Sequence, residues 1–287
     1  GNLWRFPYLA AKYGGGIFLL VYIVLAVTFG FTLMVTEIAI GRKTRLSPME
    51  AFGSLNKKWS WMGKLVTLVP VLILPYYCVI GGWVTKYTAT MISGAVQDAA
   101  GDNYFSTFIS GTGEPLLWFL LFMTATAVIV FLGVEKGIEK FSRVLMPALL
   151  ILTILLSIFV VTRPGAGAGV AYYLKPDFSK LSMMTVLAAL GQLFFSMSLA
   201  MGIMITYGSY LRKQDHIEQS VRQIEVFDTL VAFLAGLMIV PAVFVYSGRD
   251  ESALGKGPSL MFVTLPKVFA EMKIGSLIGA GVFILVL

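Results

Sequence analysis

The chain has 287 residues, 57% of them hydrophobic and 13% charged, with a mean hydropathy of +0.84. A soluble domain carries about 25% charged residues, so this composition excludes a water-soluble globular protein and predicts an integral membrane one. The net charge of +7 does not point to nucleic acid, because Lys and Arg gather at the ends of apolar runs, as positive-inside bias requires.

In chain order, the apolar runs predict a half span over 1–12 and spans over 16–41, 62–96, 115–134, 141–162, 183–211, 220–247 and from 274 onward. Most reach the roughly 20 residues that a helix needs to cross a bilayer. The fold class is therefore an all-α polytopic membrane protein. It reads as a single domain over 1–287, since no linker or low-complexity stretch divides it. The run from Ile274 to Leu287 offers only about 21 Å of helix at 1.5 Å per residue, short of a hydrocarbon core of about 30 Å. With Gly1 already inside a helical pattern, the chain reads as a fragment.

The loop after the first full span carries Arg42, Lys43, Arg45, Lys57, Lys58 and Lys64 against Glu50, whereas the next loop has Asp98, Asp102 and Glu114 and no Lys or Arg. The first is expected on the cytoplasmic side and the second outside. Alternation then places Lys136, Lys140 and Arg143 inside, together with Arg212, Lys213 and Arg222. The 62–96 run exceeds a perpendicular span and is expected to tilt; Pro70 and Pro75 within it predict a kink without chemistry. Cys78 is the one cysteine, so no disulfide forms within the chain, and the one histidine, His216, leaves no His-based metal cluster.

Two features stand out from this apolar background. The first is Gly191–Gly202, a polar and glycine-containing stretch in the middle of the 183–211 run. Backbone that leaves helical geometry at membrane depth persists only where protein buries it or a wet cavity borders it, so a break here predicts a binding site. The second is Asp228, a carboxylate inside the apolar run Val226–Ala232 that costs several kcal/mol unless paired. Gln192 and Ser196, four apart, share one helix face. Glu37 reads as a packing or gating carboxylate, with structure the favoured role. Tyr207 and Tyr210 suit either an inner plug or an interfacial position.

Gly1-Asn2-Leu3-Trp4-Arg5-Phe6-Pro7 followed by Gly14-Gly15-Gly16 resembles the first-helix signature of the neurotransmitter:sodium symporter family, and Gly191–Gly202 resembles its sixth helix. Glu37-Ile38-Ala39-Ile40-Gly41-Arg42 and Tyr76-Tyr77 match its second and third helices, and Gly257–Phe262 with Pro266 its external lid loop. The resemblance keeps family order along the whole chain. It implies two inverted five-helix repeats with discontinuous helices 1 and 6, of which this chain runs from mid helix 1 to early helix 8. Paired interrupted spans of this kind mark the substrate site of such carriers.

Carried over by position, the resemblance implies that Asn2, Ser196 and Asp228 hold sodium. Tyr22, Gln192 and Ser196 occupy the outline of a chloride site, but Ala232, one turn after Asp228, has no hydroxyl; Asp228 is expected to supply negative charge in chloride's place. Gly1, Ile73, Tyr77, Phe195, Ser196, Ser198 and Met201 match substrate-pocket positions. Arg5, Tyr77, Phe195 and Tyr210 match gates, Arg5 through an acidic partner beyond this chain. Ala200 stands where many bacterial relatives have Gly, which is expected to narrow the space near Met201.

The expected function is sodium-coupled import of a hydrophobic amino acid across a cell membrane, most simply a bacterial inner membrane, with lipid around it and no organic cofactor. A proton-coupled amino-acid carrier, an amine transporter of the same architecture and a non-transporting sensor stay open. The position that separates amine from amino-acid carriers lies upstream of Gly1. An intramembrane enzyme is not expected, for the chain lacks HExxH, an intramembrane His and a pair of membrane Asp residues.

Overall fold

The computed structural model describes residues 1–131, 135–212, 214–246 and 260–287, the side chains of 135–141 excepted. Helices α1 (Arg5–Lys12), α2 (Gly16–Leu25), α3 (Phe31–Thr44), α4 (Pro48–Leu55) and α5 (Ser60–Ile92) are followed by two short ones, α6 (Val96–Ala99) and α7 (Tyr104–Ser110). Then come α8 (Gly113–Phe131), α9 (Glu135–Val161), α10 (Ala166–Leu174), α11 (Met183–Ser196), α12 (Ile203–Tyr210), α13 (Ile217–Tyr246), α14 (Leu260–Ala270) and α15 (Gly275–Val286). Among the described residues, five stretches are long and apolar enough to cross a membrane: Gly16–Thr44, Lys57–Ile92, Gly113–Phe131, Ser142–Val161 and Ile217–Tyr246. The helix α5 runs unbroken through Pro70 and Pro75.

Two compact units form, one from Gly1–Leu74 with Ala171–Gly236 and the other from Pro75–Val170 with Leu237–Leu287. The division falls inside α5, α10 and α13.

In the first unit, α2 and α3 are joined by a π-helical turn over Ala26–Gly30. Such single π turns shift the register of a helix and recur at functional sites. The helix α3 lies against α12 with the two backbones nearly touching. A Cβ on Gly41 would stand 1.9 Å from the Ile205 carbonyl oxygen, and one on Gly208 2.3 Å from that of Ile38. Only glycine fits at such a crossing, where small residues let membrane helices approach. A Ser182–Thr185 capping box starts α11, satisfying backbone N–H groups that a helix leaves open at its first turn. Tyr172 and Tyr173 at the end of α10 donate to the Ala11 and Phe233 carbonyls at 2.7 and 3.0 Å, tying this segment to the rest of the unit.

The second unit is built on aromatic packing. Tyr87, fully buried, meets Phe262 and Phe283 at ring-centre distances of 5.2 and 5.3 Å, and Trp83 meets Phe105 at 5.1 Å. Lys86–Glu114 and Lys267–Asp102 pair at its polar edge. Four short helices lie where the sequence predicts only loop: α6 and α7 after 96, α10 after 163, and α14 after 247. The apolar faces of α10 and α14 are too short to register as spans, yet Leu260–Phe262, Leu265, Val268 and Phe269 are buried. Gly257–Ser259 of the expected lid, with Lys213, lies outside the described residues, as do the side chains of Lys136 and Lys140.

Candidate functional site

The helical run expected over 183–211 ends at Ser196 and resumes at Ile203. Between them the backbone takes positive φ at Ser198 (54°), Ala200 (57°) and Gly202 (74°). For the two residues with a Cβ this conformation costs about 1–2 kcal/mol each, so the turn exists because its surroundings hold it. Met197 and Leu199 anchor it, buried to 2% and 1% exposure. The Met197 and Leu199 N–H groups donate to the Leu193 and Phe194 carbonyls at 3.0 and 2.9 Å. The Ala200 N–H instead donates to Glu37 Oε1 at 2.6 Å. The carboxylate on α3 thus clamps the strained turn, while its Oε2 is buried without a hydrogen-bond partner.

The first half of the break faces a cluster of oxygens. Asn2 Nδ2 donates to Asp228 Oδ1 at 2.8 Å and to the Asp228 carbonyl at 3.2 Å. The Ser196 hydroxyl stands 2.6 Å from Asp228 Oδ2 and 2.5 Å from Asn2 Oδ1. It has one proton for the two. Tyr22 donates its hydroxyl to Asp228 Oδ2 at 3.3 Å. Asn2 Oδ1, Ser196 Oγ and the Asp228 carboxylate therefore crowd together with more lone pairs than protons. That arrangement gains from a hard cation, whose preferred ligands are oxygens. Among the described residues no group of three or more His, Cys, Asp or Glu side chains gathers.

Three elements deliver these groups. Asn2 precedes α1, Ser196 ends α11 where its helix stops, and Asp228 comes from mid α13. Gly1 lets the chain enter close to α11, since a Cβ there would meet the Phe195 ring at 3.2 Å. The Gly1 carbonyl then accepts the N–H groups of Arg5 and Phe6, at 3.0 and 3.1 Å, which starts α1.

Arg5 donates to Gln192 Oε1 at 2.9 Å and to the Gly191 carbonyl at 3.3 Å, with its guanidinium 4.7 Å from the centre of the Phe195 ring. In this arrangement it addresses an amide, a carbonyl and a ring on α11. Trp4 meets Phe195 edge-on at 6.2 Å. Gln192 is fully buried, and its Nε2 donor has no partner.

Of the remaining expected residues, Ser198 and Met201 lie in the break and Ile73 is half-buried near the end of the same unit. Tyr77 belongs to the other unit, where its ring meets that of Tyr76 at 6.4 Å. Tyr210, ending α12, is 75% exposed. Sequence reading missed the π turn and the Glu37 contact with Ala200. The second had a signal: Glu37 is a carboxylate inside an apolar run, like Asp228. It also missed that Arg42 donates to the Asp215 carbonyl after α12 at 2.7 Å and Arg45 to the Ser209 carbonyl in the last turn of α12 at 2.9 Å.

The sequence model of the Sodium:neurotransmitter symporter family matches residues 1–107 and 102–287. An uncharacterized sodium-dependent transporter of Bacillus subtilis, YhdH, is 36% identical over 98% of this chain and 62% of its own length. One of Haemophilus influenzae is 35% identical over 96% and 63%. The crystal structure of MhsT in complex with L-phenylalanine superposes with a TM-score of 0.93 at 39% identity, covering 99% of this chain and 65% of MhsT. The chain thus spans a little under two thirds of these relatives and shares the fold of MhsT.

Proposed function

Because the chain belongs to the Sodium:neurotransmitter symporter family, we propose that the protein is a sodium-coupled importer of a hydrophobic amino acid that works by alternating access. The observation that carries this reading is the oxygen cluster at the break. Sodium is a substrate here, held by Asn2, Ser196 and Asp228. Its charge neutralises Asp228, and its ligands draw together the start of α1, the end of α11 and the middle of α13. Binding the ion therefore shapes the turn that receives the organic substrate. This is the physical link between ion and cargo.

The cluster also bears on the anion. The hydroxyls of Tyr22 and Ser196, two of the groups expected to hold chloride, both address Asp228 Oδ2. A fixed carboxylate occupies the place of a mobile anion and balances the sodium where the dielectric is low. Uptake is accordingly independent of chloride.

For the organic substrate, Gly1, Phe195, Ser198 and Met201 border the break, and Ile73 and Met201 of the same unit meet the substrate's side chain. Phe195, with Arg5 above it, forms the outer gate, and Tyr210 the inner one. Support for a hydrophobic amino acid comes from MhsT, whose structure was determined with L-phenylalanine. The protein is a multi-pass protein of the cell membrane, with the basic loops on the cytoplasmic side and no organic cofactor.

The test is uptake of radiolabelled phenylalanine by the full-length protein in proteoliposomes. Uptake is expected to follow an inward sodium gradient and to persist when gluconate replaces chloride. Uptake driven by protons without sodium overturns the coupling, and collapse in gluconate overturns the role of Asp228. Sodium-dependent binding without uptake identifies a sensor, and competition by amines alone identifies an amine carrier.

A further inference from the structure

The stretch of α13 from Val221 to Ala235 buries one stripe. Val221, Ala232 and Ala235 on it are fully buried, and so, at 7% exposure, is Glu225. Asp228 and Thr229 continue that stripe one turn on, at the i+3 and i+4 spacing that puts side chains on one face. Glu225 stands about 4.5 Å along the axis from Asp228, at 1.5 Å per residue. On the orientation that the basic loops imply, it lies on the cytoplasmic side.

Nothing in the proposed sodium and substrate sites uses Glu225. Its carboxylate makes no hydrogen bond among the described residues; the exposed Arg222 acts on it electrostatically, beyond ion-pair range. Thr229 Oγ1 is likewise buried with no hydrogen-bond partner. A carboxylate without a hydrogen bond and a hydroxyl whose single proton has no acceptor, one turn apart on that stripe, offer several oxygen lone pairs to a cation. Groups of this kind inside a span face an ion path or a wet cavity.

We propose that Glu225 and Thr229 form a second, transient oxygen site for a monovalent cation, which takes sodium from Asp228 as it leaves towards the cytoplasm. The inference rests on the sodium-coupled reading above. Two ligands make a weaker site than the Asn2, Ser196 and Asp228 cluster, and the Arg222 charge at its mouth weakens it further. A waypoint must release what it receives.

The experiment compares net uptake with counterflow in proteoliposomes of the full-length protein, using radiolabelled phenylalanine. Counterflow with saturating sodium on both sides exchanges substrate without requiring the ion to leave, whereas net uptake requires its release at every cycle. Glu225→Gln is expected to lower net uptake at least tenfold while counterflow and sodium-dependent substrate binding stay within twofold of wild type. Thr229→Val is expected to act in the same direction, and Glu225→Asp to recover most of the rate. Unchanged net uptake in Glu225→Gln overturns the proposal, and so does a parallel loss of net uptake and counterflow, which marks a packing role. A wild type whose uptake ignores sodium overturns the coupling reading itself and this inference with it.

Discussion

Removing the Glu37 carboxylate tests whether the strained turn in the broken helix is held from outside. Ser198 and Ala200 together carry about 2–4 kcal/mol of left-handed backbone cost at about 1–2 kcal/mol each, with φ of 54° and 57°. Against this stands the hydrogen bond from the Ala200 N–H to Glu37 Oε1 at 2.6 Å. A hydrogen bond to a charged group contributes about 1.5–3 kcal/mol, comparable with the strain. Glu37→Ala removes it and leaves the Ala200 N–H without its carboxylate acceptor. If the turn must hold its shape to bind substrate, the loss appears as weaker binding. At 1.4 kcal/mol per factor of ten, the dissociation constant rises about 10- to 150-fold. Glu37→Gln keeps an acceptor and loses the charge; neutral bonds are roughly half as strong, so its dissociation constant rises about fivefold. The assay is equilibrium binding of radiolabelled phenylalanine to the purified full-length protein at saturating sodium. A Glu37→Ala protein that stays monodisperse and binds within twofold of wild type refutes the reasoning.

Three further outcomes follow from single contacts. Ala200→Gly relieves one left-handed Cβ penalty of about 1 kcal/mol and is expected to raise the melting temperature by about 2 °C in a thermal-shift assay; a lower value shows that the Cβ packs favourably. Asp228→Asn removes the charge that faces sodium, and the apparent sodium affinity is expected to fall at least a hundredfold, on the order of 3 kcal/mol, with chloride restoring part of it. An affinity unmoved by the change would place the ion elsewhere. Gly41→Ala puts a methyl where the Ile205 carbonyl oxygen is 1.9 Å away, forcing α3 off α12 at a cost of about 3 kcal/mol; it is expected to abolish the monodisperse peak in size-exclusion chromatography, and a normal peak contradicts the close crossing.

What local composition can signal, the sequence signals well. The break after Ser196 is legible because polar and glycine residues interrupt a run of spanning length, and a membrane tolerates free backbone groups only at special places. Asp228 is legible for the same reason, since a carboxylate among Val, Phe and Leu demands a partner. Glu37 meets that criterion too, but its proximity to the basic loop after Thr44 favours a plain structural role. That its partner is a backbone N–H at position 200 depends on a backbone conformation that no periodicity encodes. The helices α10 and α14 escape a hydropathy reading because they are too short to register as spans.

By itself the sequence determined that this chain is helical, that it lies in a membrane, where a helix must stop, and which buried polar groups require partners. These follow from transfer free energies and hydrogen-bond satisfaction, which act residue by residue. Only the tertiary structure decided who the partners are. Asn2 and Asp228 are 226 positions apart and meet at 2.8 Å, and Arg5 finds Gln192 and Phe195 on α11. Pairings of this kind depend on which helix faces meet, and that is set by the sum of packing contacts across the unit.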